Sequence, residues 1–474
     1  MTGLADLGAG ELLELYRRRE ASPEEVAEAC AARIEQLEPA LNAVTTRCPE
    51  VWSRQAAEAT RRWRSGEARP LEGVPYGVKD LIHTAGVRTT GGSRRYRDYV
   101  PETGAEAVDR LERAGGVMMA KLHTFEFARG DDSFLGPTRN PWDLERTAGA
   151  SSTGAGAVLA ARQLPLALAT DTGGSIRVPA TFCGVTGLKP TFGLVPRTGV
   201  MPQSWTLDHV GPMGRSVADV ARMLTAIAGY DPADPESIRT PRRDFVEGLD
   251  RGVAGLRLGI PRDWFFDVID PEALQATQRA ASLLAGQGAD VVEVDLPHAH
   301  LSDVIGALII YAEFAALHTD DLDRLEEFGT RWTQQVLVDS HFVGAADYLR
   351  ALRARHLIQR DLEQAFEQAD VLLVPGTVGV APRLEDLAFS VGDAVREWDQ
   401  HVARMTLLFN LAGVPALALP AGFSSGGLPL GIQVAARPFD EATCLRVGHT
   451  LQRCTTYHLA VPPLVSGQDG MRSG

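Results

Sequence analysis

Two glycine-rich loops of the sequence contain serines that could act as nucleophiles. Ser151 lies in GASSTG (residues 149–154), and Ser175 lies in TDTGGSIR (residues 170–177). Glycines allow positive φ, so successive N–H groups can converge beside the serine oxygen and stabilise an oxyanion. One such loop is more often a simple turn or an anion cradle. Two of them, separated by a single helix and strand, favour nucleophilic catalysis.

The familiar partners of a serine nucleophile are missing from the sequence. It contains no SxxK, HExxH or GxxxxGK[ST] pattern, and none of its 11 histidines lies beside a glycine-flanked serine. A base other than histidine is therefore required. Lys79 lies upstream of both loops, near one end of the apolar segment GVPYGVKDLI. We predict that this segment is a short buried strand.

The charge of the chain argues against binding to nucleic acid. The 474 residues carry a formal net charge of −14, and the densest basic patch, Arg94 to Arg97, is short. A phosphate-binding surface needs clustered lysines and arginines. We expect a small-molecule partner, no nucleic acid and no membrane, with a homodimer as one option. No motif for a metal or a cofactor is found, and none is expected.

The cysteines and the apolar runs indicate a cytoplasmic protein. The five cysteines include no CxxC pair, which suits a reducing compartment better than a disulfide framework or a zinc site. The segment MTGLADLGAGELLELYRRRE lacks the basic and apolar regions of a signal peptide. The longest apolar run, near Val304 to Leu317, contains Glu313 and is shorter than a membrane span. We interpret it as a buried helix.

Helical and strand-like patterns alternate along the chain. Residues 10–38 have helical spacing, with a capping box at Ser22, and residues 320–368 are strongly helical in pattern. The predicted strands are GVPYGVKDLI, VMMAKL, LPLALATD, LRLGIPRDW, ADVVEVDLP and ADVLLVP, whereas TGGSIRVPATFCG is a predicted loop. This alternation predicts an α/β fold. We expect one large domain with a central twisted mixed β-sheet flanked by α-helices.

A string of ordered segments resembles the amidase signature family. The main ones are GVPYGVKD, AGASSTGAGA and TDTGGSIRVPATFCGVTGLKPT, followed by KLHTFEFARG, the NPWD at Asn140 to Asp143, SWTLDHVGPM, NLAGVPALALPAGF and GLPLGIQVAARPFDEAT. The resemblance covers nearly the whole chain, as one domain over 1–474. It divides into an N-terminal helical region (1–70), a catalytic core (71–220) and the remaining sheet, helices and pocket segments (221–474). It implies hydrolysis of a carboxylic amide at the C–N bond, without a cofactor.

The resemblance assigns the catalytic residues position by position. The nucleophile is Ser175, the bridging serine is Ser151, which the family holds before a cis peptide bond, and the base is Lys79. Burial would keep Lys79 neutral, so that it takes a proton from Ser151 as Ser151 takes one from Ser175, giving an acyl-enzyme. The reverse transfer protonates the leaving ammonia or amine. The expected oxyanion hole consists of the backbone N–H groups of Thr172, Gly173, Gly174 and Ser175.

Several neighbouring residues are expected to be structural. Asp171 and Arg177 flank the nucleophile loop and should brace it by charged hydrogen bonds. Cys183 is interpreted as a buried apolar side chain rather than a second nucleophile. The histidines expected to be structural are His83, His123 and His209.

The serine loop departs from the GGSSGGS that is usual in the family. Ala150, Thr153 and Ala155 replace the expected small or hydroxyl residues. These changes could alter how the loop packs or contacts the amide group. Since Ser151 and Ser152 are kept, we expect activity to be retained.

Two alternatives to a stand-alone amidase remain open. The A subunit of a glutamine-dependent tRNA amidotransferase carries an aspartate shortly before its NLAG motif. Here VARMTLLF precedes Asn410, and the nearest acid is Asp399. SWTLDHVGPM is also more similar to stand-alone amidases. The second alternative is a non-catalytic protein that keeps the fold as a scaffold or binds anions in its glycine loops.

The resemblance leaves the substrate open. The family acts on aliphatic, aromatic, peptide-end, urea-type and fatty amides, and on some esters and hydrazides. We expect its variable segments, here 305–318 and 332–348, to set specificity. The apolar run IGALIIYAEFAAL favours a neutral, partly hydrophobic acyl group, although a buried core helix explains it equally well.

Overall fold

The computed structural model describes residues 3–129 and 133–467, so the final glycine of KLHTFEFARG lies outside the described residues. The α-helices are α1 (Ala9–Arg18), α2 (Pro23–Leu41), α3 (Pro49–Ser65), α4 (Glu106–Arg113), α5 (Thr153–Ala160), α6 (Arg177–Cys183), α7 (Val217–Ile227), α8 (Pro271–Gly286), α9 (Ser302–Leu317), α10 (Arg331–Ser340), α11 (Ala345–Gln368), α12 (Trp398–His401), α13 (Leu407–Ala412), α14 (Glu441–Cys454) and α15 (Pro463–Ser466). The strands are β1 (Val44–Arg47), β2 (Pro75–Lys79), β3 (Val117–Leu122), β4 (Arg139–Asn140), β5 (Asp143–Thr147), β6 (Leu166–Asp171), β7 (Thr186–Lys189), β8 (His209–Gly214), β9 (Arg257–Pro261), β10 (Asp290–Val294), β11 (Val371–Pro375), β12 (Ala388–Val391), β13 (Ala394–Glu397), β14 (Ala416–Phe423) and β15 (Pro429–Ala436).

One large mixed sheet organises the described part of the chain. Its eleven strands have the order β1-β3-β2-β6-β8-β7-β14-β15-β11-β9-β10. Strand β2 runs parallel to both β3 and β6, and β9 runs parallel to β10 and β11. Between β6 and β11 in this order, each strand pairs antiparallel with the next. The predicted single α/β domain with a mixed sheet is confirmed, whereas the boundaries at residues 70 and 220 stay predictions.

Both faces of this sheet are covered. Along β6, Leu166 and Leu168 join one apolar cluster, and the alternate residues Ala167 and Ala169 join another. Since side chains alternate between faces along a strand, each face packs against its own layer of helices. Strand β6 is therefore buried on both sides, which explains its continuous apolar sequence.

The predicted helical stretch 10–38 consists of two helices rather than one. Helix α1 ends where Arg19 adopts a left-handed φ of 58°, and α2 begins after Ser22. The predicted capping box is present, because Ser22 Oγ accepts from the Glu25 N–H at 3.3 Å and Glu25 accepts from the Ser22 N–H at 2.8 Å. The spacing of apolar residues alone does not reveal the break between the two helices.

The predicted loop TGGSIRVPATFCG instead contains helix α6. Its Gly, Pro and β-branched residues give it low helical propensity. Pro179 is tolerated because it lies in the first turn, where backbone N–H groups have no partner within the helix. Helix α6 is buried along its whole length, so tertiary packing overrides propensity here.

The predicted helical stretch 320–368 is interrupted twice. A 3-10 segment over Thr319–Glu327 precedes α10, and α11 follows after a second break. Thr330 caps α10, with its side chain accepting from the Thr333 N–H at 3.1 Å. Gly344 precedes α11. Glycine and a capping threonine were therefore better guides to these boundaries than the apolar spacing.

Helix α9 buries one side only, not all of it as predicted. Its buried residues include Ile305, Ile309 and Phe314, whereas Val304 is 54% exposed. Among the described residues, the segment Ala299–Leu317 is long and apolar enough to cross a membrane by length and composition, and 39% of it is buried in this structure. The exposed side of α9 faces a cavity that is described below.

Candidate active site

Two neighbouring parallel strands bring the predicted catalytic residues together. Strand β2 pairs with β6 through Tyr76–Leu166, Gly77–Ala167 and Val78–Leu168. The carboxyl ends of both strands therefore lie at the same edge of the sheet. Lys79 is the last residue of β2, and Thr170 and Asp171 end β6.

Lys79 is fully buried at this edge and contacts two hydroxyl groups. Its Nζ lies 2.8 Å from Ser151 Oγ and 2.8 Å from Thr170 Oγ1. Burial lowers the pKa of the Lys79 ammonium to about 7, against the opposing effect of the negative charges on Asp171 and Asp208. A large fraction of Lys79 is therefore neutral near pH 7, and a neutral amine can accept a proton.

The two glycine-rich loops are joined through Ser152. Its Oγ donates to the Thr170 carbonyl at 3.1 Å, and its N–H donates to the Ser175 carbonyl at 3.3 Å. A cis peptide bond joins Ala150 to Ser151. The bond thus precedes Ser151, whereas the family resemblance led us to expect it after this residue.

Ser175 opens into a cavity of about 580 Å³ that Ser151, Gly173 and Gly174 also line. Ser175 is half-buried, whereas Ser151 is 1% exposed. In the part of the chain that the structure describes, the Ser175 hydroxyl makes no hydrogen bond to the protein. Of the predicted relay, the structure therefore contains the Lys79–Ser151 contact and leaves the Ser175 hydroxyl free towards the cavity.

The Ser175 loop is held by a buried ion pair. Asp171 Oδ1 accepts from Arg177 Nη2 at 2.9 Å, and Asp171 Oδ2 accepts from Arg177 Nε at 3.0 Å. Burial alone would raise the pKa of the Asp171 carboxyl, but the charge and hydrogen bonds of Arg177 hold it well below its usual range. The bracing that the sequence predicted for these two residues is present.

The Asp171 carboxylate also limits which backbone N–H groups can form an oxyanion hole. The Gly174 N–H donates to Asp171 Oδ1 at 2.9 Å, and the Ile176 N–H donates to Asp171 Oδ2 at 3.1 Å. This geometry does not support the predicted role of the Gly174 amide. The N–H groups of Thr172, Gly173 and Ser175 donate to no protein acceptor among the described residues.

Distant segments complete the support of the loop. Asn410 Nδ2 donates to Asp171 Oδ1 at 2.9 Å, and Arg177 Nη1 donates to Gln433 Oε1 at 2.9 Å. Sequence reasoning did not assign a role to Asn410 or Gln433. Both lie in segments that carried the family resemblance, NLAGVPALALPAGF and GLPLGIQVAARP, which was the signal available.

The residues predicted to be structural lie away from the Ser175 cavity. Cys183 is buried, and burial raises the pKa of its thiol, so it is a poor nucleophile. His83, His123 and His209 do not line this cavity. Burial lowers the pKa of His123 to about 4, so this side chain is neutral at physiological pH. Within the described residues, no cluster of three or more His, Cys, Asp or Glu is arranged to hold a metal ion.

The far wall of the cavity consists mainly of residues that sequence reasoning did not single out. Ile310 and Tyr311 come from one predicted specificity segment, and Trp332 begins the other. The charged lining residues are Arg129, Asp303, Asp399 and Arg404. They come from separate parts of the chain, so no local motif could have grouped them.

The fold and this serine–lysine arrangement define an enzyme that acts on amide C–N bonds. A profile of the Amidase family matches residues 25–445, and the chain belongs to this family. The A subunit of glutamyl-tRNA(Gln) amidotransferase from Geobacter sp. (strain M21) is 38% identical over 97% of this chain and 99% of its own.

Two solved structures are also similar over nearly the whole chain. One is described as a vestigial protein complex that reveals the origins of an s-triazine catabolic enzyme. It has a TM-score of 0.90 and 36% identity, over 94% of this chain and 98% of its own. The other, a bacterial aryl acylamidase of the amidase signature family, has a TM-score of 0.88 and 26% identity, over 96% and 97%.

These comparisons correct the expected partners. The sequence predicted a small-molecule partner and excluded nucleic acid, on the ground of a net charge of −14. That prediction is wrong, because a relative matching the whole chain is one component of an enzyme named for glutamyl-tRNA(Gln). Net charge describes the average surface, and one component can serve such an enzyme without itself presenting a basic face.

Proposed function

We propose that the chain hydrolyses a carboxylic amide through an acyl-enzyme on Ser175, with Ser151 and Lys79 as the proton relay. The observation that carries the proposal is the 2.8 Å contact between Lys79 Nζ and Ser151 Oγ, beside a serine that opens into the cavity. Burial supports it, because it lowers the pKa of Lys79 to about 7 and makes a neutral base available.

The proposed reaction balances its protons within the site. Lys79 takes the Ser151 proton, Ser151 takes the Ser175 proton, and Ser175 Oγ attacks the amide carbon. The resulting oxyanion accepts hydrogen bonds from the free N–H groups of Thr172, Gly173 and Ser175. When the C–N bond breaks, the relay returns the proton to the leaving nitrogen, and water then releases the acid by the same route.

One contact must form when the substrate binds. The Ser175 hydroxyl has to turn towards Ser151 Oγ, and both residues line the same cavity. Hydrogen bonds of catalytic groups are often incomplete before substrate binds and tighten in the complex. The free Ser175 hydroxyl therefore agrees with the proposed relay.

A second candidate function is that of the A subunit in a glutamine-dependent amidotransferase that acts on glutamyl-tRNA(Gln). The name and full-length match of the Geobacter relative favour it. In this case the relay would release ammonia from glutamine within an assembly. The two candidates share the chemistry at Ser175 and differ in the molecule that carries the amide. We also propose a cytoplasmic location, which five unpaired cysteines support.

A fluorophosphonate probe tests the nucleophile. It should label the purified protein, and Ser175→Ala should abolish the labelling, whereas Ser425→Ala, a change at an exposed serine outside the cavity, should keep it. Persistent labelling of Ser175→Ala would overturn the assignment of the nucleophile.

Ammonia release from glutamine and from simple carboxamides, measured with and without glutamyl-tRNA(Gln), separates the two candidate functions.

A further inference from the structure

Arg129 places a positive charge in the wall of the Ser175 cavity. It directly follows the 3-10 segment Glu126–Ala128, and its side chain is half-buried. Its Cζ lies 4.8 Å from the ring centre of Tyr311 and 5.2 Å from that of Trp332. Both rings also line the cavity, so they hold the guanidinium group there by cation–π contacts.

Within residues 3–129 and 133–467, Arg129 has no acidic partner. Among the described residues, no ion pair and no hydrogen bond to a protein acceptor involves its guanidinium group, and its Nε is buried without a partner. Aromatic rings stabilise the charge but leave the in-plane N–H donors unpaired. A group of this kind is suited to an anion that is supplied from outside the protein.

Arg95, in the same region, makes a useful comparison. Its Cζ lies 5.9 Å from the Tyr96 ring and 6.0 Å from the Phe328 ring, so it too is packed against aromatic side chains. However, Arg95 is neutralised by Asp321 at 3.0 Å and Glu327 at 3.3 Å. The lack of a carboxylate partner at Arg129, within the part of the chain that the structure describes, is therefore not shared by every arginine that packs against aromatic rings.

The backbone around Arg129 is fixed rather than loosely placed. The Glu126 carboxylate accepts from the Gly329 N–H at 2.9 Å and from the Thr330 N–H at 3.3 Å. This contact ties the segment before Arg129 to the start of α10, which carries Trp332. Glu126 is fully buried and occupied by these amides, so it does not neutralise the arginine.

The other charged residues that the structure describes around the cavity form no ion pair with Arg129. Burial raises the pKa of Asp303 to about 6, against the opposing charge of Arg404, so these two residues interact with each other. Arg404 is further held by Trp264, whose carbonyl accepts from its Nη2 at 2.8 Å. Asp399 is exposed, and no ion pair joins it to Arg129 in the described ranges.

We propose that Arg129 binds a carboxylate on the acyl part of the substrate, so that the preferred substrates are monoamides of dicarboxylic acids. A guanidinium group matches a carboxylate by paired N–H donors, and the interaction strengthens in a partly desolvated site. This inference rests on the amide hydrolysis proposed above. It replaces the neutral acyl group that the apolar residues of α9 favoured.

The test compares matched anionic and neutral amides. Malonamate, succinamate, glutaramate and adipamate are each paired with the neutral amide of equal chain length, propionamide to hexanamide. For the best anionic substrate, we expect kcat/KM to exceed that of its neutral partner by about 100-fold. Arg129→Gln should remove about that factor, mainly through KM, and leave the neutral amide within about twofold. Arg129→Lys should restore part of the preference.

The control is Arg95→Gln. Arg95 also packs against aromatic rings, but it is already paired with Asp321 and Glu327. Arg95→Gln should leave the ratio of anionic to neutral kcat/KM unchanged. The inference is overturned if Arg129→Gln lowers kcat/KM equally for anionic and neutral amides. It is also overturned if the enzyme prefers no anionic amide and none binds to Ser175→Ala in calorimetry. In either case, probe labelling of Ser175 together with turnover of a neutral amide shows that the proposed amide hydrolysis stands. Loss of labelling with no turnover at all would instead refute the proposed function.

Discussion

The carboxylate of Asp171 and the guanidinium group of Arg177 form a two-pronged ion pair, at 2.9 and 3.0 Å, across the base of the Ser175 loop. Both side chains are fully buried. Asp171 ends a strand and Arg177 begins a helix, so the pair fixes both ends of the loop that presents the serine. The position of Ser175 thus depends on this pair.

Asp171→Asn should destabilise the protein by roughly 3 kcal/mol or more, because it leaves the Arg177 charge buried and unpaired. The midpoint of urea unfolding measures the effect. The matched control is Asp370→Asn, which breaks a partly exposed pair with Arg257 at 2.9 Å and should cost less than about 1 kcal/mol. Equal losses of unfolding free energy in Asp171→Asn and Asp370→Asn would contradict a special role for the buried Asp171–Arg177 pair.

The rate should rise with pH through the titration of Lys79. Burial lowers the pKa of this ammonium to about 7, and only the neutral amine accepts a proton. The logarithm of kcat/KM should therefore increase with a slope of about one below pH 7 and level off above it. A profile on a neutral amide that is flat between pH 5 and 8 would exclude Lys79 as the base.

Lys79→Ala should lower kcat by about 10⁴-fold or more, the upper range for loss of a general base. Circular dichroism and the unfolding midpoint establish that the variant is folded. Lys79→Arg should be equally inactive, since arginine stays protonated in proteins. Near-normal turnover by either variant would refute the relay.

Thr170 is expected to position Lys79 and to tune its pKa. Thr170→Val keeps the side-chain shape but removes the oxygen 2.8 Å from Lys79 Nζ. Since a hydrogen bond to an ammonium favours the charged form, its loss should move the midpoint of the pH–rate profile to lower pH, with about a tenfold lower plateau. Thr277→Val, at a buried threonine that bonds its own helix, is the control and should not move the midpoint.

Gly174→Ala should reduce kcat/KM by about 100-fold or more, comparable to the loss of an oxyanion-hole donor. Gly174 has a φ of +139°, and a Cβ there would lie 2.3 Å from Thr406 Oγ1. The loop must therefore shift. At Gly173 the nearest atom to an added Cβ, Leu407 Cδ1, is 3.5 Å away, so Gly173→Ala should cost much less. A larger loss of kcat/KM in Gly173→Ala than in Gly174→Ala would show that the loop geometry at Gly174 is unimportant.

The parts of the site that the sequence predicted are those that lie in continuous segments. Ser151, Ser175 and Lys79 each belong to a recognisable motif, and the strand of Lys79 was evident from its apolar residues. Helix α6 was missed because burial, rather than propensity, stabilises it. The hydrogen bond from the Gly174 N–H depends on the orientation of the Asp171 carboxylate, and spacing along the chain does not determine that orientation.

The cavity wall could not be predicted for a different reason. Arg129, Asp303 and Arg404 are far apart in the sequence and meet only through tertiary packing. The apolar pattern of α9 was read correctly as helical, but which side faces the cavity depends on its neighbours. Charges that act together across a cavity leave no local signature.

The two sides of the cavity have separate origins in the chain. Lys79 ends one strand of the sheet and Ser175 lies just after the adjacent strand, whereas most of the opposite wall comes from helices and their connections between residues 303 and 407. Mutations can therefore accumulate in those helices without displacing the proton relay. Such a chain can acquire a new substrate in evolution while its reaction stays the same.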